Sequence, residues 1–163
     1  MAQKSKGDIA NTAVRMLLQK VGEAYDHERG FDPFRAKDMD QVKEFFGGRC
    51  CYCGTTFADG VKASQDHLIP INKTDGGLSA WGNIVPACGE CNSKKHRADW
   101  RTFIIDRADS DVVKERKDRL EAFIKEYGYS PGAGLQATAE DLYAEMGAVA
   151  DALIDTKFKR LMD

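Results

Sequence analysis

Four of the five cysteines fall into two pairs of equal spacing, Cys50-x-x-Cys53 and Cys88-x-x-Cys91. A C-x-x-C turn brings two thiolates to one point, and two such knuckles supply the four tetrahedral corners of a structural Zn2+ with metal–sulfur bonds of ~2.3 Å. Gly54 and Gly89, beside the pairs, suit tight knuckle turns. Disulfides are the other use of four cysteines, and they belong to oxidising compartments, of which the sequence gives no sign. Cys51 offers a rival Cys51-x-Cys53 spacing, but the two-residue gap matches the second knuckle. Cys51 is therefore expected to be a buried or spare thiol.

A four-cysteine zinc site has no open position, so it staples rather than catalyses. Chemistry must come from the residues around it. Asp66-His67-Leu68-Ile69-Pro70 follows the first knuckle, Trp81-Gly82-Asn83-Ile84-Val85 precedes the second, and Asn92-Ser93-Lys94-Lys95-His96-Arg97 comes after it. Two of the three histidines lie in these segments. On a helix starting near Glu90, Asn92 and His96 stand at i and i+4 and emerge on one face, the arrangement by which helical ligand pairs grip a metal. An aspartate on a facing strand closes such a site from across.

The combined pattern C-x-x-C, D-H, N-x-x-x-x-C-x-x-C-N-x-x-K-H, spread over residues 49–100, resembles the HNH endonuclease family. The fold implied is ββα-metal: two strands followed by a helix. The resemblance implies His67 as general base, Asp66 and Asn92 as ligands of a catalytic divalent ion, and His96 as a third ligand. It makes Asn83 the asparagine that braces the histidine's loop, and it assigns Cys50, Cys53, Cys88 and Cys91 to a structural zinc. Two positions depart from the family's pattern, since the first ligand is Asp66 and the helix ligand is Asn92 where histidines are usual. His96 is thereby left open between metal ligand and phosphate contact. The implied activity is hydrolysis of DNA phosphodiesters, leaving 5′-phosphate and 3′-hydroxyl ends, in an enzyme of restriction, phage or mobile-element type.

The residue chemistry agrees with that activity. An unperturbed imidazole of pKa ~6.5 can take a proton from water near neutral pH. Oxygen donors such as Asp66 and Asn92 suit Mg2+ or Mn2+, which keep positions open for phosphate. Lys94, Lys95, Arg97 and Arg101 follow the second knuckle and are expected to contact DNA phosphates, with Lys62 and Lys73 on the intervening loops. Lys114, Arg116, Lys117 and Arg119 are interspersed with Glu115, Asp118 and Glu121, and ordinary i,i+4 pairing is expected there. Two rivals remain: a zinc-knuckle module that binds nucleic acid or protein without cutting, and a nickase or nuclease acting on RNA or modified DNA.

The elements that must position these groups read as one α+β unit. A ββα-metal core at 48–101 is flanked by N-terminal helical residues 1–47 and C-terminal helical residues 102–163. Ile9, Ala13, Leu17, Val21 and Tyr25 give a helical stripe over 8–25. A second helix is expected over 39–46 with Asp38 and Gln41 as a capping box, and strands around 67–69 and 83–85. Helix resumes near Glu90 and runs to a break at Asp109-Ser110. Another helix follows over 111–127, with Val113, Leu120, Phe123, Ile124 and Tyr127 as its stripe and Gly128 as its stop. A last helix starts at Thr138, capped with Asp141, and its seam of Leu142, Met146, Val149 and Leu153 buries within the monomer or against a second copy, a homodimer. Trp100 and Phe103 are read as core.

With 163 residues, 42% hydrophobic and 31% charged, the chain suffices for one modest core. The formal charge of −2 gives no global field toward a polyanion, so any nucleic-acid face must be local. The longest uncharged stretch, 76–89, is shorter than the ~18 apolar residues of a membrane helix. Asp8 and Arg15 interrupt any signal-peptide core, and an intracellular protein is expected.

Overall fold

The computed structural model describes residues 6–58, 60–72, 74–132 and 134–162, with side chains at 6–9, 135, 136, 150 and 154–162 left aside. Among the described residues there are six α-helices and one two-stranded antiparallel sheet. In chain order these are α1 (Lys6–Glu28), α2 (Met39–Phe45), β1 (Ala63–His67), β2 (Ile84–Cys88), α3 (Gly89–Lys95), α4 (Trp100–Arg107), α5 (Ser110–Glu126) and α6 (Gly134–Met162). The β1, β2 and α3 succession is the expected α+β, ββα arrangement, with helices before and after it.

The sheet register pairs Ala63 with Cys88, Asp66 with Val85 and His67 with Ile84. Every residue of β2 is buried, whereas Asp66 alone is buried on β1. The main core therefore forms against β2, from Val42 and Phe46, Tyr52, Trp100, Phe103 and Ile104, and Leu120, Phe123 and Tyr127. Aromatic rings tie it together. Trp81 stacks on Tyr127 at 5.0 Å, and Tyr52 meets Phe103 edge-on at 5.2 Å. Trp100 and Phe103 are core, as expected. A second cluster joins Val14 and Leu18 of α1 to Leu78, Tyr129 and Ala139.

Three helical details differ from expectation. The buried row of α1 is Ala10, Val14, Leu18, Gly22 and Asp26, one residue out of phase with the expected stripe, while Leu17 and Val21 stay exposed; the Ile9 side chain lies outside the described residues. The shift follows from close packing: a Cβ on Gly22 would lie 2.6 Å from the Ser79 carbonyl oxygen. It follows too from Asp26, which is fully buried and accepts from Arg29 at 2.6 Å and from the Trp81 and Phe34 amides at 3.1 and 3.2 Å. The expected capping boxes do not form. Asp38 accepts from the Arg35 amide at 2.7 Å while Gln41 donates to the Tyr127 hydroxyl; α6 starts four residues before Thr138, whose hydroxyl donates to the Gly134 carbonyl. Finally, the helix expected from Glu90 onward is two helices. His96 adopts φ +46° and ends α3, and Asp99 starts α4 by accepting from the Arg101 and Thr102 amides.

α5 ends at Glu126, and Gly128 takes φ +57°, so the Tyr129 amide folds back onto the Ile124 carbonyl at 3.0 Å. Of its expected stripe, Leu120, Phe123 and Tyr127 are buried. On α6, Val149 and Leu153 are exposed, and burial is concentrated at Ala139.

Candidate functional site

β1 ends on Asp66 and His67, and α3 packs against that strand. Asn92 and Lys95, three apart on α3, both turn toward it. The Asn92 amide nitrogen donates to Ser64 Oγ at 3.1 Å and to the Gln65 carbonyl at 3.2 Å. Its Oδ1 has no hydrogen-bond partner among the described residues.

Lys95, expected on a DNA-contacting face, is 1% exposed. Its ammonium donates to the His67 carbonyl at 2.7 Å and lies 3.3 Å from Asp66 Oδ2. The contact with DNA is thus replaced by an internal one, because α3 turns this position inward. Tyr52 completes the arrangement, donating its hydroxyl to the same Asp66 oxygen at 2.6 Å. Asp66 is therefore held by one strong neutral donor and one cation, with Oδ1 left over.

The His67 side chain is partly exposed, but its Nε2 is enclosed and has no hydrogen-bond partner among the described residues. Burial lowers the imidazole pKa to about 4, and the charges of Arg15 and Lys95 push the same way. The ring is neutral at pH 7. Asn83, fully buried, fixes the loop that follows: Oδ1 accepts from the Ile69 amide at 2.8 Å, and Nδ2 donates to the Ile69 and Leu78 carbonyls at 3.0 and 2.8 Å. Three of its four hydrogen-bonding positions go into bracing this loop.

Asp66, His67, Asn92, His96, Arg97 and, from α1, Arg15 line one cleft of about 430 Å3. His96 reaches it from the left-handed residue beyond α3 rather than from a helix face. Among the described residues, no group of three His, Cys, Asp or Glu ligand atoms lying within 4.8 Å of one another includes Asp66, His67 or His96. The oxygens of Asp66 and Asn92 suit a hard divalent ion that keeps most of its shell as water and phosphate.

The cysteine site is tighter. The Sγ atoms of Cys50, Cys53, Cys88 and Cys91 all lie within 4.8 Å of one another, and Cys53 and Cys88 are 3.8 Å apart, close to the ~3.8 Å edge of a tetrahedron with ~2.3 Å bonds. Burial pushes the Cys50 and Cys91 thiols up, whereas Cys53, accepting from Thr55, is lowered to about 7. Four crowded sulfurs of this kind fit a zinc ion, which would hold them as thiolates. Cys51 is buried and stands apart from the set.

The remaining cations are dispersed. Arg97 and Lys62 are exposed, and Lys73 lies outside the described residues. Lys94 pairs with Glu90 at 2.8 Å, and Arg101 lies over the Trp100 ring at 4.4 Å. Sequence reasoning missed Arg15, Tyr52 and the inward role of Lys95. Arg15 carries no local signal, since it sits on the exposed side of an amphipathic helix far from the motif. Lys95 had one: its three-residue offset from Asn92 puts both on one face.

Residues 50–98, just under a third of the chain, match the family model described as HNH endonuclease. No curated protein matches the chain. No solved structure matches it either. Among the described residues no helix is long and apolar enough to cross a membrane.

Proposed function

We propose, for a chain whose residues 50–98 form an HNH endonuclease domain of nuclease type, that it hydrolyses DNA phosphodiester bonds in the cleft between β1 and α3. The observation that carries this reading is convergence: Asp66, His67, Asn92, Arg15 and Arg97, from three separate elements and a loop, line a single cleft. His67, which lines the cleft with a neutral ring, accepts the proton of the attacking water. Asp66 and Asn92, with His96 at the rim, would hold one Mg2+ or Mn2+, which when bound would supply charge neutralisation at the phosphate and at the departing 3′ oxygen. Lys95 and Tyr52 fix the Asp66 carboxylate, and Asn83 fixes the loop behind His67. Arg15 and Arg97 bind the flanking phosphate oxygens. The products are 5′-phosphate and 3′-hydroxyl ends.

The test incubates zinc-loaded protein with supercoiled plasmid and Mg2+ or Mn2+, with a chelator control, beside His67→Ala of equal zinc content. Metal-dependent nicking or linearisation that the variant loses by at least about a hundredfold is expected. Equal cutting by both proteins would remove His67 from the mechanism. Parallel lanes with modified DNA and single-stranded RNA identify the substrate class; no cutting in any lane would favour a binding module.

A further inference from the structure

The basic run on α5, expected to be spent in i,i+4 pairs, is spent only in part. Lys114 pairs with Asp118 at 2.6 Å. Arg116 and Arg119 form no ion pair among the described residues. Both turn instead into a second cleft, of about 250 Å3, on the zinc-knuckle side of the molecule. Arg49 lines it as well, from the residue before the first knuckle, and Phe46, Cys50 and Cys51 form its floor. Three guanidinium groups meet one carboxylate there, Glu115, and none of the four forms an ion pair among the described residues.

The cleft is built around Arg116. Its guanidinium lies against the Cα of Gly54, where an added Cβ would stand 2.6 Å from Cζ, and Gly54 itself needs φ +76°. Arg116 Nε is enclosed and has no hydrogen-bond partner among the described residues. Arg49 is little better provided, with Nη1 3.5 Å from the Gly54 carbonyl, at the limit of a hydrogen bond. A guanidinium presents five donors and no acceptor, and a buried N–H without an acceptor is costly. An oxyanion entering the cleft would meet the outer guanidinium donors of Arg49, Arg116 and Arg119.

We propose that Arg49, Arg116 and Arg119 form a second phosphate-binding site, separate from the catalytic cleft, that grips the backbone of the nucleic acid being cut. This rests on the nuclease reading of the first cleft. Guanidinium contacts to phosphate oxygens position the duplex without reading base edges, so the contact carries no base sequence. It works by neutralising charge and fixing the register of the duplex. Because Arg49 adjoins Cys50 and Arg116 rests on Gly54, the cleft exists only while the first knuckle is closed.

The test measures binding apart from cleavage. His67→Ala protein, zinc-loaded, is titrated with a fluorescent DNA duplex in EDTA-free buffer without Mg2+ over a range of salt concentrations. It is compared with the same protein carrying Arg116→Gln or the exposed Arg119→Gln, each checked for zinc content and Tm. The expected result is a loss of about tenfold in affinity and a salt slope shallower by about one per arginine removed. Since Arg119 does not support the knuckle, its variant keeps the test sound if Arg116→Gln unfolds. Unchanged affinity and slope in Arg119→Gln and in folded Arg116→Gln overturn the proposal. So does calorimetric binding of inorganic phosphate that needs Arg116 while the DNA slope stays fixed, which would make this a site for a free anion. The plasmid assay reports on the nuclease reading separately: cutting with unchanged salt slopes sinks the second site alone, and altered slopes without cutting sink the first reading alone.

Discussion

Lys95 shows how far a side chain's role depends on what its helix faces. In the sequence it is one of four cations in a short run, and a solvated face is the ordinary reading of such a run. In the structure its ammonium is enclosed between the His67 carbonyl and the Asp66 carboxylate. Removing one partner of a buried ion pair strands the other. Lys95→Met is expected to cost about 3 kcal/mol, read as a lower denaturation midpoint, whereas Lys94→Met, on an exposed pair with Glu90, is expected to shift it by less than about 0.5 kcal/mol. Equal shifts would mean that Lys95 is not buried as described. Tyr52→Phe removes one donor to Asp66 without opening a cavity. Its expected effect is about 1 kcal/mol on stability, checked by the same denaturation curve.

At the scale of elements, the motif residues were legible in the sequence because their spacing is local, and their supports were not because they are distant. Cys50, Cys53, Cys88 and Cys91 converge as their two knuckles imply. Asp66 and His67 end a strand, and Asn92 faces it from the next helix. By contrast, the phase of α1 is not legible in the sequence, since rows 9-13-17-21 and 10-14-18-22 are equally helical and polar Asp26 argues against the true one. Only the Ser79 backbone and the amides that Asp26 receives select it. A distinguishing substitution follows. Ala for Gly inside an exposed helix ordinarily gains about 1 kcal/mol, but Gly22→Ala is expected to destabilise, because its Cβ meets the Ser79 carbonyl at 2.6 Å. Thermal unfolding of the variant decides between the two phases. The break at His96 was equally hidden, for nothing in Lys95-His96-Arg97 announces a left-handed residue.

For the whole molecule, the segment that matches the family model is not the whole of its own core. Tyr52 and β2 pack against Phe46 from the preceding helical region and against Leu120, Phe123 and Tyr127 from α5. Residues 48–101 alone are expected to bind zinc yet to unfold without a cooperative transition, which calorimetry of that fragment would show. Removing zinc from the full chain with a strong chelator is expected to lower Tm and to release amide protection first at 49–55 and in α3, the segments the sulfurs join. Protection lost uniformly instead would mean that the knuckles are not a separate staple.

The enclosed ammonium of Lys95 also bears on the order in which the active complex assembles. Asp66 brings one negative charge to the cleft, Lys95 already offsets it, and Arg15 and Arg97 leave the cleft cationic while His67 is neutral. An empty cleft of that sign holds a divalent ion poorly and a phosphate well. On the nuclease reading proposed above, a phosphate substrate would supply the negative charge that the protein withholds, and the two ligands would be thermodynamically linked. Calorimetric titration of zinc-loaded His67→Ala with Mn2+ is expected to give binding at least about tenfold tighter when a DNA duplex is present, within the range of ordinary coupling energies. The enzyme would then be armed by its substrate, with little metal bound between encounters.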